Sequence, residues 1–105
     1  MTINERNFRG VDLNVMVTFL VLYRELNVTR AASLMKVGQP AVSGSLARLR
    51  ARFNDPLFIR TGRGIRPTGK AIDIAKILMP AFTCIESVIT GTCHVAAEGE
   101  EIQQL

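Results

Sequence analysis

The chain has 105 residues, 48% of them apolar, and carries 13 Lys and Arg against 9 Asp and Glu. That allows one domain of about 100 residues with a short appendage and excludes a multidomain enzyme. Cys84 and Cys93 make no disulfide framework and, with His94, too few ligands for structural zinc; a reducing, cytoplasmic setting with no metal and no cofactor is expected.

The longest near-apolar run, Val15 to Tyr23, is about half the ~18 residues of a membrane span, and the charges flanking it do not suit a signal peptide. Neither membrane insertion nor export is expected. Asp12 is placed to cap a first helix over about 13–26, whose apolar positions Leu13, Met16, Val17, Leu20 and Val21 follow the spacing of one buried face. Thr29 reads as the cap of a second helix of two turns, through Ala31, Ala32 and Met35, that stops before Gly38. Gly38-Gln39-Pro40 then turns the chain into a third helix, because proline is tolerated in a first turn. Its core stripe is Val42, Leu46, Leu49 and Phe53, and it ends near Asn54-Asp55-Pro56, since the residue before a proline is pushed out of helical geometry.

Leu57-Phe58-Ile59 and Ile65-Arg66 are short β-prone runs joined through Thr61-Gly62-Arg63-Gly64, whose glycines tolerate positive φ. The result is a small hairpin with an arginine at its tip. As a phosphate loop the glycine pair is a weak signal, because no Lys-Ser/Thr follows it. Thr68 is placed to cap a fourth helix in which Ala71, Ala75, Leu78, Phe82, Ile85 and Ile89 recur at the intervals of a coiled-coil seam. Ile72, Ile74, Ile77 and Met79 leave that helix apolar on a second side, so self-association is its natural outlet, with packing on its own domain the alternative. Pro80 is expected to kink or split it. Residues 91–105 show no convincing face and read as a frayed tail.

Charge is distributed unevenly along these elements. Residues 1–29 balance to zero, residues 30–76 carry ten basic residues against Asp55 and Asp73 for a net of +8, and residues 77–105 carry only glutamates, a net of −4. A partner feels that local block and not the average. A plain solvated surface would account for it, but a polyanion is the sharper reading. Only Phe53 and Phe58 interleave aromatically, both at core-pattern positions, so duplex DNA is favoured over single strands, which need exposed stacking rings.

Two short helices joined by a glycine-containing turn form a helix-turn-helix, the second entering on Gln39-Pro40-Ala41-Val42-Ser43. A glutamine amide can donate and accept at one adenine edge, and a serine hydroxyl serves several bases. Capping and turn chemistry is the simpler use of both residues. Their context is Arg48, Arg50, Arg52, Arg60, Arg63 and Arg66, suited to phosphates or, at the hairpin tip, to a narrow minor groove. An enzyme is not indicated: no Ser/His/Asp or Cys/His set assembles around His94, and Cys84 reads as a small apolar filler.

The ordered text Asn27-Val28-Thr29-Arg30-Ala31-Ala32, Gly38-Gln39-Pro40-Ala41-Val42-Ser43, Leu46-x-x-Leu49, Asp55-Pro56-Leu57-Phe58-x-Arg60 and Arg66-Pro67-Thr68 resembles the winged helix-turn-helix of LysR-type transcriptional regulators. The resemblance runs from Asp12 to Thr68 and continues over residues 69–90 as something similar to the family's linker helix, which often contains a proline. It implies a mainly α fold: a winged helix-turn-helix over residues 1–67, a dimerising linker helix over 68–90, then the tail. It further implies that Thr29 caps helix 2, that Gln39, Pro40 and Ser43 face bases, and that Arg63 meets the backbone or the minor groove. Thr29, Arg30, Arg48, Arg60 and Arg66 complete the expected DNA-binding set, and Ala71, Ala75, Leu78, Phe82, Ile85 and Ile89 the dimer interface.

Gly38 stands where the family commonly has serine, and Gly44 where many members have a longer polar side chain. Such regulators also continue into an effector-binding domain, so no small-molecule inducer is expected for this chain. The expected function is sequence-specific binding of double-stranded DNA by a homodimer at an inverted repeat. The alternative is an interaction module that pairs with full-length relatives through the linker helix and interferes with them.

Overall fold

The computed structural model describes residues 2–92, so the expected tail, Cys93 and His94 lie almost wholly outside the described residues. A short 3-10 helix, Glu5–Phe8, precedes α1, Leu13–Glu25. The Asp12 carboxylate accepts from the Asn14 amide at 2.9 Å and caps α1 as expected. Its buried face differs from expectation. Val15, Thr18, Phe19 and Leu22 are buried, while Leu13 is exposed and Met16, Val17, Leu20 and Val21 are only half-buried. Nearly every position from Val15 to Tyr23 is apolar, so spacing alone does not choose a face; Phe19 does, by packing 5.5 Å from Phe58 between ring centroids.

Leu26 ends α1 in the left-handed region, and the extended backbone of Asn27 starts α2, Val28–Met35. Asn27, not Thr29, is the cap: its side chain accepts from the Arg30 amide at 2.9 Å. Thr29 already lies inside the first turn. At the other end Lys36 adopts φ +57, and the Val37 and Lys36 amides bond to Ala32 and Ser33 carbonyls, satisfying carbonyls that the helix leaves open. The turn thus closes before Gly38, as the sequence implies.

The third helix, α3, spans Gln39–Phe53, with Pro40 in its first turn and no side-chain cap at Gly38. Val42, Leu46 and Leu49 are buried and Phe53 half-buried, the expected stripe. The left-handed Asn54 ends it. Leu57, at φ +63, turns its side chain into the core, so β1 is Phe58–Thr61 and not the earlier run. It pairs antiparallel with β2, Gly64–Pro67, in the register Phe58 with Pro67 and Arg60 with Ile65. Gly62-Arg63 make the connection. Of these two hairpin glycines only Gly64 takes a positive φ, and there the need is steric: a Cβ would lie 2.6 Å from the Leu26 carbonyl oxygen, which also accepts the Ile65 amide.

Thr68 caps α4, Gly69–Thr90, which runs unbroken through Pro80 for roughly 33 Å. Ala71 and Ala75, expected in the dimer seam, are 0% and 3% exposed within their own domain. They are corrected to core residues, because their small side chains let α4 lie closely on the cluster of Phe19, Leu22, Leu57 and Phe58. Leu78 packs partly on the same cluster; Phe82, Ile85 and Ile89 lie beyond it.

Asp55 joins the pieces. Its Oδ2 accepts from the Leu57 amide (2.9 Å) and the Thr68 hydroxyl (2.8 Å), and the Thr68 amide donates back to the Leu57 carbonyl. The Leu57 amide first, then the Thr68 hydroxyl, hold the Asp55 carboxyl below its usual range. A carboxyl so lowered contributes stability that is complete above its unfolded-chain value and is lost as pH falls through the folded one. Urea-unfolding midpoints should therefore fall below about pH 4, and Asp55→Asn should flatten that decline while lowering the midpoint at neutral pH. Gly64→Ala should destabilise the chain by about 1–3 kcal/mol, read as a lower Tm by circular dichroism.

Candidate nucleic-acid interface

The interface is built on the exposed side of α3. Burial of Val42, Leu46 and Leu49 leaves Gln39, Pro40, Ala41, Ser43 and Gly44 exposed at its leading end. Apart from Gln39, these exposed side chains are small. A Cβ added at Gly44 would meet nothing within 4 Å, so glycine there leaves room and not a packing requirement.

Gln39 is not isolated. Its Nε2 donates to Thr29 Oγ1 at 3.0 Å, across the turn between α2 and α3. Thr29 therefore helps orient the Gln39 amide in place of capping α2. One Nε2 hydrogen and both Oε1 lone pairs of Gln39 stay available, which is the donor and acceptor set an adenine edge requires. The Thr29 hydroxyl retains its own hydrogen to donate. Ser43 lies one turn along the helix from Gln39, on the same side.

The arginines divide into distinct environments. Arg63 sits in the two-residue connection of the hairpin, exposed, where its amide donates to Thr61 Oγ1. Arg60 and Arg66 are exposed but occur on opposite faces of the hairpin, since Arg60 pairs with Ile65 and Arg66 with Ile59. One flat backbone surface cannot meet both faces at once. Arg48 is exposed on the flank of α3 beside Asp12 and Val15, at the start of α1. Arg30 Nε bonds Glu25 at 2.6 Å, and Arg24 bonds the same carboxylate at 2.6 Å. Hydrogen bonding from Arg24 first, then from Arg30, holds the Glu25 carboxyl below its usual range; the two arginine side chains remain 61% and 68% exposed.

Arg50 is the exception among the arginines that charge counting groups together. Its Nε donates to the Pro56 carbonyl at 2.7 Å and its Nη2 to the Phe58 carbonyl at 3.1 Å. Two of its five N–H donors thus tie α3 to the start of the hairpin. Neither this use of Arg50 nor the Asp55 hub is visible as periodicity or motif; Asp55-Pro56 immediately before the β-prone run is the one local hint. Among the described residues no group of three His, Cys, Asp or Glu side chains could hold a metal ion, and no helix is long and apolar enough to cross a membrane.

Comparison with known proteins agrees with this architecture. The family described as bacterial regulatory helix-turn-helix protein, lysR family, matches residues 13–71. The HTH-type transcriptional regulator LeuO of Escherichia coli K12 is 37% identical over 103 residues, covering 98% of this chain and 33% of LeuO. The crystal structure of the probable transcriptional regulator PA0477 from Pseudomonas aeruginosa superposes with a TM-score of 0.75 at 32% identity, over 86% of this chain and 30% of that one. Vibrio fischeri DarR, solved in complex with DNA, gives a TM-score of 0.68 at 26% identity, over 79% of this chain and 28% of its own. The chain thus spans about a third of the length of these relatives. With α2 and α3 forming the helix-turn-helix, β1 and β2 the wing, and the family match running over more than half of the sequence, the chain belongs to the LysR family of helix-turn-helix DNA-binding transcriptional regulators.

Proposed function

We propose that the chain binds double-stranded DNA sequence-specifically as a homodimer, with α3 of each protomer in the major groove of one half of an inverted repeat. The observation that carries this reading is the exposure of Gln39, Pro40 and Ser43 at the leading end of α3, inside the sequence block of net charge +8. An α-helix fits a major groove about 12 Å wide, and short polar groups at its first turn reach the base edges. The DNA complex of DarR supports the same use of a similar fold. A cytoplasmic setting goes with that partner.

In this reading Gln39 and Ser43 read bases, with Thr29 holding the Gln39 amide. Arg63 meets the backbone or the narrow groove beyond the wing, and Arg30 and Arg48 neutralise phosphates on either flank of α3. Arg60 and Arg66 lie on opposite wing faces, so one of them faces the duplex and the other does not. Dimerisation uses the distal part of α4. Leu78 and Phe82 are half-buried there, and Ile85 and Ile89 are 39% and 79% exposed, so a partner helix would cover a stripe that the domain itself leaves open. A two-fold protein then requires two-fold DNA. The same open stripe also supports pairing with longer relatives, which a pull-down against a full-length family member would detect.

Replacing Gln39 or Ser43 with alanine should cost about 1–3 kcal/mol of affinity on the selected site and relax preference at one position in each half-site, read by in vitro selection. Equal losses on random DNA would remove the base-reading role. Arg63→Ala should weaken selected and random duplexes alike and reduce the slope of log affinity against log salt by about one unit. Phe82→Glu and Ile89→Glu should give monomers by light scattering and lose tight binding to the double site, since the second half-site contact no longer follows from the first. A retained dimer would place the subunit contact elsewhere.

A further inference from the structure

Three side chains form one connected lock where α3, the wing and α4 meet. Arg50 on α3 holds the Pro56 and Phe58 carbonyls. Asp55, two residues past the end of α3, holds the Leu57 amide and the Thr68 hydroxyl. Thr68 is at the same time the cap of α4, its Oγ1 accepting the Ala71 amide at 3.1 Å. There is no spare chain at this point: β2 ends at Pro67 and α4 begins at Gly69, with Thr68 the one residue between.

We propose that Arg50, Asp55 and Thr68 are positioning residues that fix α4 relative to α3 and thereby set the half-site spacing that the dimer accepts. The proposal rests on the DNA-binding reading above and adds to it a source of geometric specificity that touches no base. If the distal ends of two α4 helices are joined, the separation and rotation of the two α3 helices are set by the angle at which each α4 leaves its domain. Each base pair inserted between half-sites turns one of them by about 34°. A stiff joint cannot follow that rotation, so the second contact is lost; a loosened joint can. The left-handed Leu57 between Asp55 and the wing adds to the constraint, because the lock holds the backbone where an unsupported leucine would relax.

The test uses the full chain and two readouts. In the first, Cys84 and Cys93 are replaced with serine and spin labels are placed at Ala47 on α3 and Glu86 on α4, and the distance distribution within one protomer is recorded by pulsed electron resonance in a dilute mixture with unlabelled chain. The unsubstituted lock should give one narrow distribution; Arg50→Met and Thr68→Val should broaden it, and Thr68→Ser, which keeps the hydroxyl, should restore it. In the second, duplexes selected by the unsubstituted chain are lengthened or shortened by one or two base pairs between half-sites. The unsubstituted chain should lose at least about tenfold in affinity per change, and Thr68→Val or Asp55→Asn less than about threefold, with affinity for a single half-site kept within about twofold. Simple destabilisation would lower binding to every duplex in proportion and leave the ratio between spacings unchanged. Narrow distances in the folded variants, or an unchanged spacing ratio, would overturn the proposal. If the unsubstituted chain selects no duplex, the DNA-binding reading fails by itself, and the distance distributions still decide whether the joint is stiff.

Discussion

The rotation of α3 about its own axis is the constraint on which the rest depends. Val42, Leu46 and Leu49 are buried together with Phe19, Leu22, Leu57 and Phe58. Turning the helix by one residue, about 100°, would pull that stripe toward water and push Ser43 inward. Each large apolar side chain exposed costs about 1.5–3 kcal/mol, so losing three of them would consume most of the stability of a domain this size. The small polar groups at the start of α3 are therefore held outward by core packing, without needing contacts of their own. Exposure at that end of the helix follows from hydrophobicity along its opposite side.

The same core decides which basic residues are free to meet a polyanion. A block of net charge +8 suggests a common role for its arginines, yet the fold assigns them separate ones. Arg50 gives two of its five N–H donors to backbone carbonyls, and Arg30 shares Glu25 with Arg24. Arg63 alone among them sits at a hairpin tip. Local charge density makes the encounter favourable, whereas hydrogen-bond geometry decides what each guanidinium does after it. Glu25 also shows how an anion belongs in such a surface: it orders two exposed cations without neutralising the block.

Much of this was legible in the sequence, and where it was not the reasons are physical. The α3 stripe and the caps Asp12 and Thr68 are local patterns with a local cause, and the structure has them in place. Thr29 misleads because Asn27, two residues earlier, is an equally good cap; the left-handed Leu26 before it decides between them. The face of α1 was obscured by a run that is apolar all round, so only the tertiary partner Phe58 fixes it. Ala71 and Ala75 fit a seam by period, but a period does not say whether the surface it meets belongs to the same chain. Arg50, Asp55 and the Thr29–Gln39 pair depend on residues from separate elements meeting in space, which no single stretch of sequence encodes.

The proximal half of α4 thus belongs to the domain and the distal half extends from it, which accounts for described residues measuring 54 × 29 × 24 Å. The leading end of α3 and the distal end of α4 both stay exposed, the two surfaces on which the proposed function rests. The most direct measurement is nuclear magnetic resonance of the isotope-labelled chain titrated with duplex DNA at low ionic strength. Amide signals of Thr29, of Gln39 through Gly44 and of Arg63 should shift together while those of Val42's buried neighbours Phe19 and Leu22 stay in place. Shifts confined to α4, or a spectrum that ignores the duplex, would contradict the account.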